Sequence, residues 1–389
     1  MACGGGQEQN ERRWRIAYSV WPRTRSAAFL PYAKRHTPLA VAAVAAAWLV
    51  LAGHTPGEGA HPIALLPFEN VSGDIRSPEV IMPRLAAALR DRGYEVVTPE
   101  TLEPFLARRR IRATAKLGRE ELAALGREFG TAWVLVGSID LFADTPGNPQ
   151  WGVSSRLLEV GSGRILWADA AGHTGDDFTG FLELGTITSP EILADKTVQE
   201  LFRSLHLPDG GMEPAKASRS RKLARRVFRD PRMDSEPPKR VAVLPFENGT
   251  ERRGAALIVD DLMLVALRQA GRFEVADAGE VQRALRSLGI APYGAIDLES
   301  LRRIGEAAGV DAVILGRVQD YNEGLRPGAS TSPSIALEAR MLETGTGKIL
   351  WMGFHEGLGE DSQIVLEFGK IKSMVPLALK VIAEMVGTM

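Results

Sequence analysis

Two pairs of adjacent acids, Asp176-Asp177 and Glu360-Asp361, stand at matching places in the chain. Such carboxylates could hold a hard cation or serve as acid and base in a divalent-metal-dependent hydrolysis. They could equally cap a helix or sit solvated, the more ordinary use of acids after a strand. A second matched set, Glu69-Asn70 and Glu247-Asn248, falls where a strand should end. That is the edge at which open α/β sheets bind ligands, although Asn also closes turns. Gly345-Thr-Gly-Lys348 looks like a phosphate loop, yet the GxxxxGK[ST] pattern would need glycine at 342 and Ser or Thr at 349, where Leu342 and Ile349 stand. HExxH, CxxC and GxSxG are missing and the six histidines lack ligand spacing, so nucleophilic and zinc chemistry have no support. The single cysteine, Cys3, leaves nothing for disulfides or a thiolate cluster. No catalytic residue, metal or cofactor is expected.

Cations are unevenly placed. Residues 1–62 carry a balance of +4 and residues 208–240 one of +5, which leaves about −10 on the rest of a chain whose net charge is −1. Acidic domains are a poor footprint for nucleic acid, which is bound through clustered cations. Two basic clusters remain as contact surfaces: Arg108, Arg109, Arg110 and Arg112, with no counterpart near Arg286-Ser-Leu-Gly289, and Arg221, Lys222, Arg225 and Arg226. The second lies in a run, Lys216 to Arg232, that could touch anionic lipid or stay solvated.

Leu39 to Ala52 reads LAVAAVAAAWLVLA behind Lys34, Arg35 and His36. Fourteen apolar residues are short for a bilayer span and suit a signal-peptide core or an anchor. Positive charge before it stays cytoplasmic, so the chain after it is expected on the periplasmic side. Leu51-Ala52-Gly53 resembles the start of a lipoprotein signal, but His54 stands where the lipidated cysteine belongs.

What must position the acids and the Glu-Asn pairs is a duplicated unit. Ile63-Ala-Leu-Leu-Pro-Phe-Glu-Asn70 recurs as Val241-Ala-Val-Leu-Pro-Phe-Glu-Asn248, Gly126, Gly130 and Gly137 recur as Gly305, Gly309 and Gly316, and Gly161-Ser-Gly-Arg-Ile-Leu-Trp167 recurs as Gly345-Thr-Gly-Lys-Ile-Leu-Trp351. Two long copies mean domain duplication and not a solenoid. The expected domains are 63–207 and 240–389, with 1–62 an amino-terminal region and 208–239 a flexible basic linker.

Each copy opens with a short apolar run ended by Pro67 or Pro245, which predicts a buried parallel strand. Leucines at helical spacing lead to Gly93 or Gly271, and a second strand, YEVV or FEVA, follows. Helices are predicted over 101–110 and 119–129, and over 279–288 and 298–308. A long strand from Trp133 or Ala312, a glycine hairpin and a closing helix near 189–205 or 373–386 complete the unit. The predicted class is α/β: two tandem copies of a β-α-β-α-α-β-β-β-α domain, each a mixed sheet packed by helices.

The PFEN strand, the Gly-ended helix before Ala-Trp-Val-Leu-Val-Gly137 or Asp311-Ala-Val-Ile-Leu-Gly316, and the hairpin Thr344-Gly-Thr-Gly-Lys-Ile-Leu-Trp351 together resemble the α/β domain shared by CsgG, related outer-membrane accessory lipoproteins and the amino-terminal domain of TolB. That resemblance implies a non-catalytic, periplasmic protein-binding or scaffolding role. The implied partners are an envelope protein, the membrane through the amino-terminal segment and, as an option, further copies of the chain in a homo-oligomer. A ligand-sensing or regulatory protein and a hydrolase are the alternatives.

Overall fold

A computed structural model describes residues 62–179, 185–206, 226–291, 296–324, 332–363 and 369–389. The segment 39–52 and residues Arg221, Lys222 and Arg225 lie outside these. Among the described residues no helix is long and apolar enough to cross a membrane.

The first copy runs β1 (Ile63–Leu65), β2 (Glu69–Asn70), α1 (Ser77–Asp91), β3 (Val96–Val97), α2 (Pro99–Arg108), α3 (Arg119–Phe129), β4 (Trp133–Ala143), β5 (Gln150–Glu159), β6 (Ile165–Thr174) and α4 (Pro190–Leu201). β1 is wholly buried and lies parallel between β3 and β4, as its unbroken apolar run requires. β4, β5 and β6 then form an antiparallel meander. Gly130 ends α3 in the left-handed conformation at φ 65°, and Gly163 takes φ 71° in the β5–β6 hairpin.

The second copy repeats the plan. β7 (Arg226–Arg229) and one helical turn at Arg232–Ser235 come first. Then follow β8 (Arg240–Val243), β9 (Glu247–Asn248), α5 (Ala255–Ala270), β10 (Glu274–Val275), α6 (Ala278–Leu288), α7 (Leu298–Ala308), β11 (Ala312–Asn322), β12 (Ser334–Glu343), β13 (Ile349–Leu358) and α8 (Met374–Val386). The strand order matches that of the first sheet, with one addition: β7, inside the stretch read as linker, pairs antiparallel with β13. Both sheets are mixed and both are packed by helices, the predicted class.

The copies differ in what covers them. On one face the first sheet holds α1 and α4, in a core that includes Leu85, Leu89, Trp151, Trp167, Val198 and Phe202. Its other face meets α2 and α3, and beyond them α5 and α8 of the second copy, within a core that takes in Phe105, Leu125, Val136, Leu158, Val259, Met263, Val375 and Ile382. α5 and α8 also cover the inner face of their own sheet, so they are apolar nearly all round and eleven residues of α5 are buried. α1 is amphipathic by comparison. Strand patterns follow suit: β5 is buried at nine consecutive positions, whereas β12 alternates, Ile335, Leu337, Ala339 and Met341 inward against exposed Glu338 and Arg340. α6 and α7 cover only part of the second sheet's outer face, through Leu285, Leu301 and Ile304. The rest of that face, with Met352 and Glu356, stays open.

Candidate functional site

The expected site residues separate. Glu69 and Glu247 sit in the two-residue strands β2 and β9, which pair with β4 and β11. Asn70 closes a turn, its Nδ2 donating to Asp74 O at 2.7 Å and its Oδ1 accepting from Gly73 N. Asn248 does the same, with Arg252 O and Thr250 N. Of the carboxylate pairs, Asp177 and Asp361 accept from the backbone N–H of Thr174 and Leu358, as caps do, and Asp176 takes Asn148. Among the described residues no three His, Cys, Asp or Glu side chains are grouped to hold a metal ion. Arg108 pairs with Glu128 and Arg109 lies over the Phe105 ring. Arg110, Arg112 and Arg226 are exposed, and Arg110 has the positive φ of a turn.

Polar groups converge elsewhere, at the buried junction of the copies. Arg156, on β5 and 1% exposed, spends its guanidinium on three partners: Nη1 donates to Asp261 Oδ1 at 2.6 Å, Nε to Asp277 Oδ1 at 3.0 Å and Nη2 to Ala115 O at 2.8 Å. Asp261 belongs to α5, and Asp277 caps α6 through Gly279 N, so one cation of the first copy pins two helices of the second. Ser138 Oγ on β4 lies 2.9 Å from Asp261 Oδ2 and 2.6 Å from Asp140 Oδ1. A hydroxyl has one proton, so Ser138 donates to only one of these carboxyls at a time. Burial pushes the Asp140 carboxyl well above the usual carboxylate range, against the lowering effect of its contact with Ser138. Asp260, whose Oδ1 accepts from Phe246 N, is likewise raised by burial. The adjoining cavity, between Lys116, Asp260, Asp261 and Gln282, measures about 40 Å³. That is room for water, not for a substrate.

Sequence reasoning missed the convergence of Arg156, Asp261 and Asp277. The available signal was Asp260-Asp261 in the middle of the apolar helix AALIVDDLMLVALRQA, since buried acids need partners. Where α1 has Pro83, α5 has Asp261. Arg268 of α5 also reaches across, donating to Ile165 O at 2.9 Å and Leu166 O at 2.8 Å. Gln269 contacts Asp169 at 3.0 Å, so these side chains sheathe the edge of β6 as β7 sheathes β13.

The raised carboxyls set a pH dependence. Because burial disfavours their ionised forms, the folded protein holds those protons more tightly than the unfolded chain does, and the stability they contribute is lost as pH rises through the raised values. Asp140→Asn should therefore be more stable than the parent at pH 8, and its stability should fall less steeply with pH, by at most about 1.4 kcal/mol per unit. Denaturant midpoints between pH 5 and pH 8 check this; parallel curves for the two proteins would contradict it.

A mixed sheet and its helices, made twice and interlocked, define the chain as a tandem α/β protein. No protein-family model and no curated protein matches it. Among solved structures it is distantly similar to the PelC dodecamer from Paraburkholderia phytofirmans, with TM-score 0.26 and 16% identity, covering 39% of this chain and 88% of that one. It is similar in the same way to lipoprotein GNA1162 from Neisseria meningitidis, with TM-score 0.28 and 19% identity over 37% of this chain and 96% of that one. A third is the LpoB C-terminal domain from Escherichia coli, with TM-score 0.23 and 17% identity over 31% and 82%.

Proposed function

We propose that the chain is a non-catalytic binding or scaffolding module of the cell envelope, built from the domains 63–207 and 240–389 and carried to or held at the periplasmic side by residues 39–52. The observation that carries this reading is the use made of the convergent polar groups. The carboxylate pairs cap turns and the Arg156 cluster joins copy to copy, so the chemistry resembling a reaction centre is spent on architecture. Contact with an envelope protein is assigned to the strand-end residues Glu69, Asn70, Glu247 and Asn248 and to two basic surfaces, Arg108 to Arg112 and Arg221 to Arg226. The CsgG and TolB resemblance of the sequence supports the same class of role, in which further copies of the chain are one kind of partner.

Cell fractionation, mass spectrometry of the mature amino terminus and crosslinking in place test it together. The expected outcome is an envelope-fraction protein crosslinked to another envelope protein, with the crosslink weakened when Arg108, Arg109 and Arg112 are changed to Ser. A soluble cytoplasmic product that begins at Met1 and forms no crosslink would sink the reading.

A further inference from the structure

A second groove between the copies, of about 590 Å³, runs between β6 and α8. Gly172, His173 and Asp177 line it from the first copy, and Lys372, Ser373 and Lys380 from the second. Ser373 occupies the N-cap of α8, where a serine oxygen ordinarily accepts an N–H from the first turn. In the first copy Ser189 does this for α4, accepting from Ile192 N at 3.2 Å. The residue matching Ile192 is Pro376, which has no N–H to give, and the Ser373 side chain makes no cap bond. Its hydroxyl is left without any partner although the residue is only 1% exposed. A buried hydroxyl in that state costs stability unless something else binds it.

The surroundings specify what that would be. Lys372 donates to the carbonyl oxygen of Asp176 and Lys380 to Ser362 Oγ, so each ammonium is held by a neutral oxygen. The two acids on the groove wall are already engaged, Asp177 by Thr174 N and Glu200 by Arg203. α8 adds the positive end of its dipole and its unbonded first N–H groups. The first copy has no such set: Thr188 stands for Lys372, and Lys196, matching Lys380, is exposed on the outer face of α4.

We infer that the groove between β6 and α8 binds a phosphate-bearing ligand, with Lys372, Lys380, the Ser373 hydroxyl and the α8 amino terminus holding the phosphate and the remaining space taking its organic part. The inference is independent of the scaffold reading and adds a ligand to it.

The test titrates the full-length chain with inorganic phosphate against chloride at matched ionic strength and follows the thermal midpoint. The midpoint should rise with phosphate alone. In the Lys372→Gln, Lys380→Gln double variant and in Ser373→Ala, the phosphate concentration needed should increase by about tenfold or more, the loss expected for hydrogen bonds to a charged group. Lys196→Gln, which removes a matched but exposed cation, should leave it unchanged. Vesicles containing phosphatidic acid form a second arm. Binding to vesicles that depends on Lys372 and Lys380, with no response to free phosphate, supports the site and makes its ligand a lipid headgroup. Equal responses to phosphate and chloride with no such vesicle binding, or a double variant that behaves as the parent in both arms, would overturn the inference.

Discussion

Replacing Arg156 with Met should cost the protein about 3–5 kcal/mol, the loss typical when one partner is removed from a buried ion pair. The guanidinium leaves Asp261 and Asp277 buried without their cation, and frees the Ala115 carbonyl it had bonded. Part of the loss should be recovered when Asp261→Asn and Asp277→Asn are added, because the uncompensated charges then disappear with it. Equilibrium unfolding of the single and triple variants measures both effects. A single variant within 1 kcal/mol of the parent would show that the junction is not held by this cluster.

The second large effect comes from exchanging residues between matched positions of the copies. Val375, buried against the first sheet, corresponds to exposed Glu191 on α4. A Cβ added at Gly152 would meet Val375 Cγ2 at 2.6 Å, and one at Gly172 would meet Val375 Cβ at 3.0 Å, so the contact leaves no slack. Val375→Glu forces a longer, charged side chain into this tight contact and should destabilise by about 3 kcal/mol or more. Glu191→Val, the reciprocal change on a solvated helix face, should stay within about 0.5 kcal/mol. Similar effects of the two substitutions would mean that α8 is not the covered helix and α4 the bare one.

Much of each unit was legible in the sequence because its signals are local. The 178-residue spacing of PFEN, the glycines that end helices and the GSG and GTG hairpins each act within a few residues. Helices expected over 119–129 and 298–308 are found at those residues. The closing helix was placed long, since 189–205 ends in structure at Leu201. The joining of the copies was not read, because it lies in differences between them. Ala168, Ala170 and Gly172 are small where Met352, Phe354 and Glu356 are large, and only the covered sheet needs the space. A search for likeness passes over such positions. For the same reason the acids that mattered were Asp261 and Asp277, each without a matching acid in the first copy, and not the repeated pairs.

The central layer, where α5 and α8 serve both sheets at once, makes the halves interdependent. Residues emerging first during synthesis would wait with one sheet face bare until the last helix arrived. A fragment ending near residue 206 should be prone to aggregate, and one beginning near residue 226 should expose two greasy helices. Severing the intact protein between them need not release either piece, since α5 and α8 would still bury their apolar faces against the first sheet and hold the fragments as a bound pair.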